Sequence, residues 1–144
     1  YTRSRLAADV ELGAIYHDSA EELFQHSDIL SIHCPATPDT HHFLNAERIK
    51  LLPDNAVVVN TSRGAIIDDN ALIEALQSGK LFAAGLDVFN NEPNIDPRYK
   101  TLINTFLLPH VGSATIETRD AMGFRALDNL DKIVAGLKPQ DQLV

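Results

Sequence analysis

The chain carries one cysteine in 144 residues, so no internal disulfide can staple it. A lone cysteine also fits a reducing cytoplasm, which is the expected setting. Basic residues are scarce. Twelve Lys and Arg stand against 20 Asp and Glu, for a net charge of -8, and the only basic cluster is Arg3-Ser4-Arg5. No nucleic acid and no anionic membrane is expected as a partner, because counterion release needs clustered cations. No apolar run reaches the length of a membrane span, and no signal peptide is expected. A glycine-rich turn is lacking too. None of the seven glycines stands in the G-x-G-x-x-G spacing that a dinucleotide-binding unit carries between its first strand and first helix.

What is present suffices for one globular domain: 44% of residues are hydrophobic and 22% charged. Strand-like and helix-like segments alternate, which predicts an α/β layer fold around a parallel sheet. Ala14 to His17 reads as a short strand, and Ser19 with Glu22 as a capping box opening a helix through His26. A strand ending at Cys34 follows, then a loop through Pro35 and Pro38. Asn45 caps a helix from Ala46 to Leu52, and Ala56 starts the next strand. Asp68 precedes an amphipathic helix with Leu72, Ile73 and Leu76 on one face, stopped by Gly79. Residues 88 to 104 form a long connection, and Thr118 to Leu137 a long final helix. Tyr1 to Arg5 fits the end of a second strand in a sheet of order 3-2-1-4-5-6. The first strand, glycine loop and first helix of that plan are expected to be absent, which would separate the strand near Ala14 from the one ending at Cys34.

Each apolar run ends on polar residues. Ile29 to Cys34 leads to Pro35, Ala56 to Val59 to Asn60-Thr61-Ser62-Arg63-Gly64, Phe82 to Leu86 to Asp87, and Phe106 to Pro109 to His110. Ligands of open parallel sheets sit outside the carboxyl ends of the strands, so Arg63, Asp87 and His110 are expected to converge on one crevice. His110 can exchange a proton near neutral pH, although a histidine in a turn can equally be structural, as His41 and His42 illustrate. Glu92 can orient an imidazole or be a solvated loop glutamate. Arg63 can grip a carboxylate with two parallel hydrogen bonds, and its place between two buried runs favours that over an exposed loop arginine. Asp87 can accept from an amide such as a nicotinamide carboxamide, or act as a cap or ion-pair partner. Cys34 fits a small buried hydrophobe better than a nucleophile, since no base is paired with it.

Asn60-Thr61-Ser62-Arg63-Gly64, Gly85-Leu86-Asp87-Val88-Phe89, Asn91-Glu92-Pro93 and Pro109-His110-Val111-Gly112-Ser113-Ala114-Thr115 together resemble the signature blocks of the D-isomer-specific 2-hydroxyacid dehydrogenases. Glu92 to Ile95 and Phe106 to His110 resemble the D-glycerate dehydrogenase or glyoxylate/hydroxypyruvate reductase branch. The resemblance implies an incomplete Rossmann-type doubly wound parallel sheet lacking its first βα unit. It divides into a partial NAD(P)-binding domain over 1–114 and a C-terminal helix and tail over 115–144. It implies His110 as acid/base, Glu92 as its orienting partner and Arg63 as the substrate carboxylate binder. Asp87 would hold the nicotinamide carboxamide, while Cys34, Pro35, Thr61, Ser62, Gly112 and Ser113 would line the cofactor, along with Arg63 and His110. The substrate would be a small 2-keto or 2-hydroxy acid and the intact enzyme a homodimer; no metal enters the site. Thr2 stands where NAD enzymes of this fold keep an acidic residue, and Arg3, Ser4 and Arg5 follow. A preference for NADP(H), with NAD(H) also usable, is therefore expected. Hydride transfer needs two domains to close on the substrate, so the chain alone is expected to be inactive. The alternative is a non-catalytic NAD(H)-binding regulatory or dimerisation module, against which the retained Arg63, Glu92 and His110 weigh.

Overall fold

The computed structural model describes residues 1–143, which divide into two compact units, Tyr1–Pro109 and a second that begins at His110. The first unit runs α1 (Ala8–Glu11), α2 (Ala20–Gln25), β1 (Ile29–Ile32), α3 (Ala46–Leu51), β2 (Ala56–Asn60), α4 (Asp69–Ser78), β3 (Leu81–Leu86) and β4 (Thr105–Leu107). Its four strands form one parallel sheet in the order β1-β2-β3-β4. The α/β alternation read from the sequence is thus present, in a Rossmann-like form.

The helices begin where side chains satisfy their first amides. Ser19 Oγ accepts from the Glu22 amide at 3.1 Å, Asn45 Oδ1 from Arg48 at 3.1 Å, and Asp68 Oδ1 from Asn70 at 3.0 Å and Ala71 at 3.4 Å. Glu22 reaches back to the Asp18 amide, one residue before the cap it was expected to complete. Gly79 adopts φ 80°, the left-handed stop that a glycine takes without a Cβ clash, and ends α4. One sheet face carries Leu30, Ile32, Ala56, Val58, Leu81, Ala84 and Leu86 into a core with Phe24, Ile49, Leu72, Ile73 and Leu76. Along that side α2 packs on α3, α3 on α4, and α4 on β3. The opposite face keeps Val57, Val59, Ala83 and Gly85 only half-buried and leaves Ile29 and Phe106 exposed.

Two segments differ from expectation. Neither Tyr1 to Arg5 nor Ala14 to His17 is a strand. A strand exists through its ladder, and among the described residues no neighbour offers one here. Side chains hold these segments instead: Tyr16 donates its hydroxyl to the Thr2 carbonyl at 2.8 Å, Arg5 lies 5.1 Å from the Tyr16 ring centre, and the His17 and His26 rings stack at 5.1 Å. The connection over 88 to 104 contains a turn of 3-10 helix at Pro97–Thr101 and a cis Glu92–Pro93 peptide bond.

In the second unit, α5 spans Ile116–Val134 rather than Thr118 to Leu137. Thr115 is its cap, with Oγ1 accepting the Thr118 amide at 3.2 Å. Gly136, at φ 69°, turns the chain so that the Leu137 amide donates to the Lys132 carbonyl at 2.8 Å, which ends the helix early. The tail folds back on α5 through Asp141, which accepts from Arg125 at 2.6 and 2.9 Å and from Asn129 at 2.7 Å.

Candidate active site

The parallel register lines up the carboxyl ends of the strands: Ile32 pairs with Asn60, Asn60 with Leu86, and Leu86 with Leu107. The chain leaves this line as Thr61-Ser62-Arg63 after β2 and as Asp87 after β3, with the Asp87 amide bonded to the Asn60 carbonyl at 3.0 Å. Asp87 is buried, at 4% exposure. Arg63 is exposed, and its Nη1 donates to the Ser62 carbonyl at 2.6 Å. Behind them Asn60 is almost wholly buried and works as a template. Its Oδ1 accepts the Ser62 amide at 3.0 Å and hydroxyl at 2.9 Å, while its Nδ2 donates to the Arg63 carbonyl at 3.0 Å. Three of the four bonds an amide side chain can make thus go into shaping one tight turn, which fixes where the guanidinium leaves the backbone. Sequence reasoning saw Asn60 only as part of a block. Its burial is the signal that was missing.

Gly64 joins this turn to the segment that carries Glu92. A Cβ added at Gly64 would sit inside the Phe89 carbonyl group and the Asn90 nitrogen, so only glycine lets the two backbones meet. Immediately beyond, Glu92 Oε1 accepts the Phe89 amide at 2.7 Å, and Asn91 takes a left-handed φ of 57°. Arg63, Asp87 and Glu92 therefore belong to one end of the sheet in the first unit.

His110, Gly112 and Ser113 belong to the second unit. His110 adopts φ 58°, a left-handed conformation that costs a non-glycine residue about 1 kcal/mol and clusters at functional sites. It lines an open cleft with Ser113, Ala114, Arg119 and Met122. Arg119, from the first turns of α5, escaped the sequence reading because nothing in its spacing ties it to His110. Only the turn into α5 brings its guanidinium to the cleft that the imidazole lines. The arrangement can hold an anion next to a proton donor.

The remaining expected residues are more scattered. Cys34 is half-buried against the core, and burial pushes its thiol pKa up, as suits a packing residue. Pro35 and Thr61 are exposed. Thr2, Arg3, Ser4 and Arg5 are exposed as well, but Arg5 is gripped by Glu11 at 3.2 and 3.3 Å. Among the described residues no cluster of three or more His, Cys, Asp or Glu could hold a metal ion, and no helix is long and apolar enough to cross a membrane. For a dinucleotide the residues present fit the nicotinamide end, where a buried carboxylate at a strand terminus can accept from a carboxamide. They do not supply a glycine turn for the pyrophosphate.

Comparison with known proteins bears on this geometry. Residues 1–112 match the family model of the D-isomer specific 2-hydroxyacid dehydrogenase, NAD binding domain. The chain is 42% identical over 134 residues to the glycerate dehydrogenase of Hyphomicrobium methylovorum, covering 93% of this chain and 42% of that protein. It is 44% identical over 140 residues to the glyoxylate reductase of Thermococcus litoralis, covering 96% and 42% respectively. A crystal structure from Polaromonas sp. JS6 66, described as an NAD-binding D-isomer specific 2-hydroxyacid dehydrogenase, superposes with a TM-score of 0.97 at 51% identity, over 99% of this chain and 45% of that one. An NADPH-dependent glyoxylate/hydroxypyruvate reductase from Sinorhizobium meliloti, solved with NADP and malonate, gives a TM-score of 0.86 at 38% identity over 91% and 40%. The chain spans less than half the length of these relatives.

Proposed function

The chain belongs to the D-isomer specific 2-hydroxyacid dehydrogenases, matching their NAD-binding domain, and on that premise we propose that it carries the cofactor-facing half of an NAD(P)-dependent reductase of small 2-keto acids such as glyoxylate or hydroxypyruvate. The observation that carries this reading is the common register of Ile32, Asn60, Leu86 and Leu107, the line of strand ends from which Arg63, Asp87 and the Glu92 segment all depart.

The nicotinamide, when bound, supplies the hydride for reduction of the keto carbon. Arg63 holds the substrate carboxylate with paired hydrogen bonds and draws charge from the carbonyl, its backbone fixed by Asn60. His110, protonated, gives its proton to the carbonyl oxygen as negative charge develops there, and the product is a 2-hydroxy acid. Glu92 orients the imidazole and favours its protonated form. Arg119 adds positive charge to the His110 cleft and steers the anionic substrate into it. Asp87 holds the carboxamide, and Cys34, Pro35, Thr61, Ser62, Gly112 and Ser113 line the cofactor. Arg3, Ser4 and Arg5 favour NADP(H). The reading includes a cytoplasmic setting, which suits the single cysteine, and a homodimeric complete enzyme.

Steady-state kinetics of the complete enzyme with glyoxylate, hydroxypyruvate and pyruvate test it. His110→Ala is expected to lower kcat by about a hundredfold or more, and Arg63→Lys to raise KM. Turnover indifferent to both substitutions would end the proposal.

A further inference from the structure

We propose that Asp69 is a positioning residue for Glu92: its carboxylate ties both ends of the segment bearing Glu92 to the first turn of α4. This rests on reading Glu92 as the orienting partner of His110. Asp69 is the first residue of α4, so its side chain stands in the opening turn of that helix. Its Oδ2 accepts from Asn90 Nδ2 at 3.0 Å, just upstream of Glu92, and its Oδ1 accepts from the Tyr99 hydroxyl at 2.8 Å, downstream of it. Asn90 also donates to the Ile67 carbonyl at 3.3 Å. Tyr99 is 1% exposed, and burial, then the bond to Asp69, raises its pKa far above the usual phenol value, so the hydroxyl remains a donor. The neighbouring Asn70 takes Arg98 at 2.6 Å, a second tie at the downstream end.

An ionised carboxylate is acceptor-only, and here each oxygen meets one donor. No neutral side chain of the same size can do this. In Asp69→Asn an NH₂ turned toward Asn90 sets donor against donor, and one turned toward Tyr99 makes that hydroxyl an acceptor and takes away the oxygen that received its proton, with little change in volume. The 89–92 turn would then lose its anchor, and with it the Phe89 amide to Glu92 Oε1 bond that marks the carboxylate's position.

Two readouts test this. In the 144-residue chain, hydrogen exchange of the Phe89 amide is expected to speed up about tenfold in Asp69→Asn, while core amides such as that of Val58 keep their rates. Asn90→Ala, which cuts the upstream tie together with the Ile67 bond and leaves Tyr99 on Asp69, should act in the same direction and guards against a folding defect in the first variant. Unchanged Phe89 exchange in both variants overturns the proposal. In the complete enzyme, Asp69→Asn is expected to lower kcat about tenfold with KM little changed. The double variant Asp69→Asn/Glu92→Gln should be no slower than Glu92→Gln alone, because Asp69 acts through Glu92. Additive losses overturn it. If Glu92→Gln costs no activity, the catalytic reading of Glu92 fails instead, while Phe89 exchange still reports on the positioning.

Discussion

Gly64 and Phe89 meet backbone to backbone, with no space between them for a side chain. That contact couples the turn bearing Arg63 to the turn bearing Glu92, so the two charged groups are set by one rigid junction. Gly64→Ala cannot be relieved by a rotamer change, since the obstruction is main chain. It is expected to cost about 3 kcal/mol, at the upper end of overpacking penalties, and to impair turnover beyond the stability loss. Denaturant midpoints and kcat for the variant check this; near-wild-type stability would mean that the 89–90 strand of backbone moves aside freely.

In the proposed reading cofactor choice turns on Arg3 and Arg5, which are not equivalent. Arg5 is held by Glu11, whereas Arg3 has its guanidinium exposed. Arg3→Ala is expected to lower kcat/KM with NADPH about tenfold, the worth of one charge-assisted phosphate contact, and to leave NADH less affected. Glu11→Gln, which loosens Arg5, should increase the preference for NADPH. Equal losses with both cofactors would assign the arginines to the fold alone.

Asp141 offers a pH test within the second unit. Arg125 first, then Asn129, hold its carboxyl down at about 2, below the ordinary aspartate value of about 3.9. A depressed folded pKa stabilises above the unfolded pKa, and that stabilisation is lost as pH falls through the folded one. The tail over 138–141 should therefore stay on α5 at neutral pH and detach between about pH 4 and pH 2. In Asp141→Asn it should be loosened at every pH. NMR of the Asn129 side-chain amide across that range reads the change, and a titration flat in the native chain would refute it.

Among the described residues β1 is bonded to a strand on one side only, and it shows Ile29 to solvent at 68% exposure. An open apolar edge recruits other strands. At rising concentration the 144-residue chain is expected to self-associate in sedimentation velocity runs, and Ile29→Lys to reduce this. A concentration-independent monomer with an intact fold would contradict the expectation.

Much of the first unit was legible because its signals are local. Ser19, Asn45, Asp68 and Gly79 start or stop helices through atoms a few residues away, and the apolar runs at Ile29, Ala56, Phe82 and Phe106 become strands in the order read. Asn60, Arg119 and Asp69 were not legible. Each owes its role to partners brought by other turns, and no spacing in the chain encodes an asparagine's burial or the meeting of Asn90 and Tyr99 on one carboxylate.

The sequence by itself determined the α/β class, the caps, and which residues follow each strand, since these depend on periodicity and on bonds within a turn. Tertiary structure alone decided whether a strand-like segment becomes a strand. Ala14 to His17 has the composition but no neighbour among the described residues, and a ladder needs both. It also decided that residue 64 must be glycine, through the approach of a backbone 25 positions away in the chain, a distance over which only the packed fold can act.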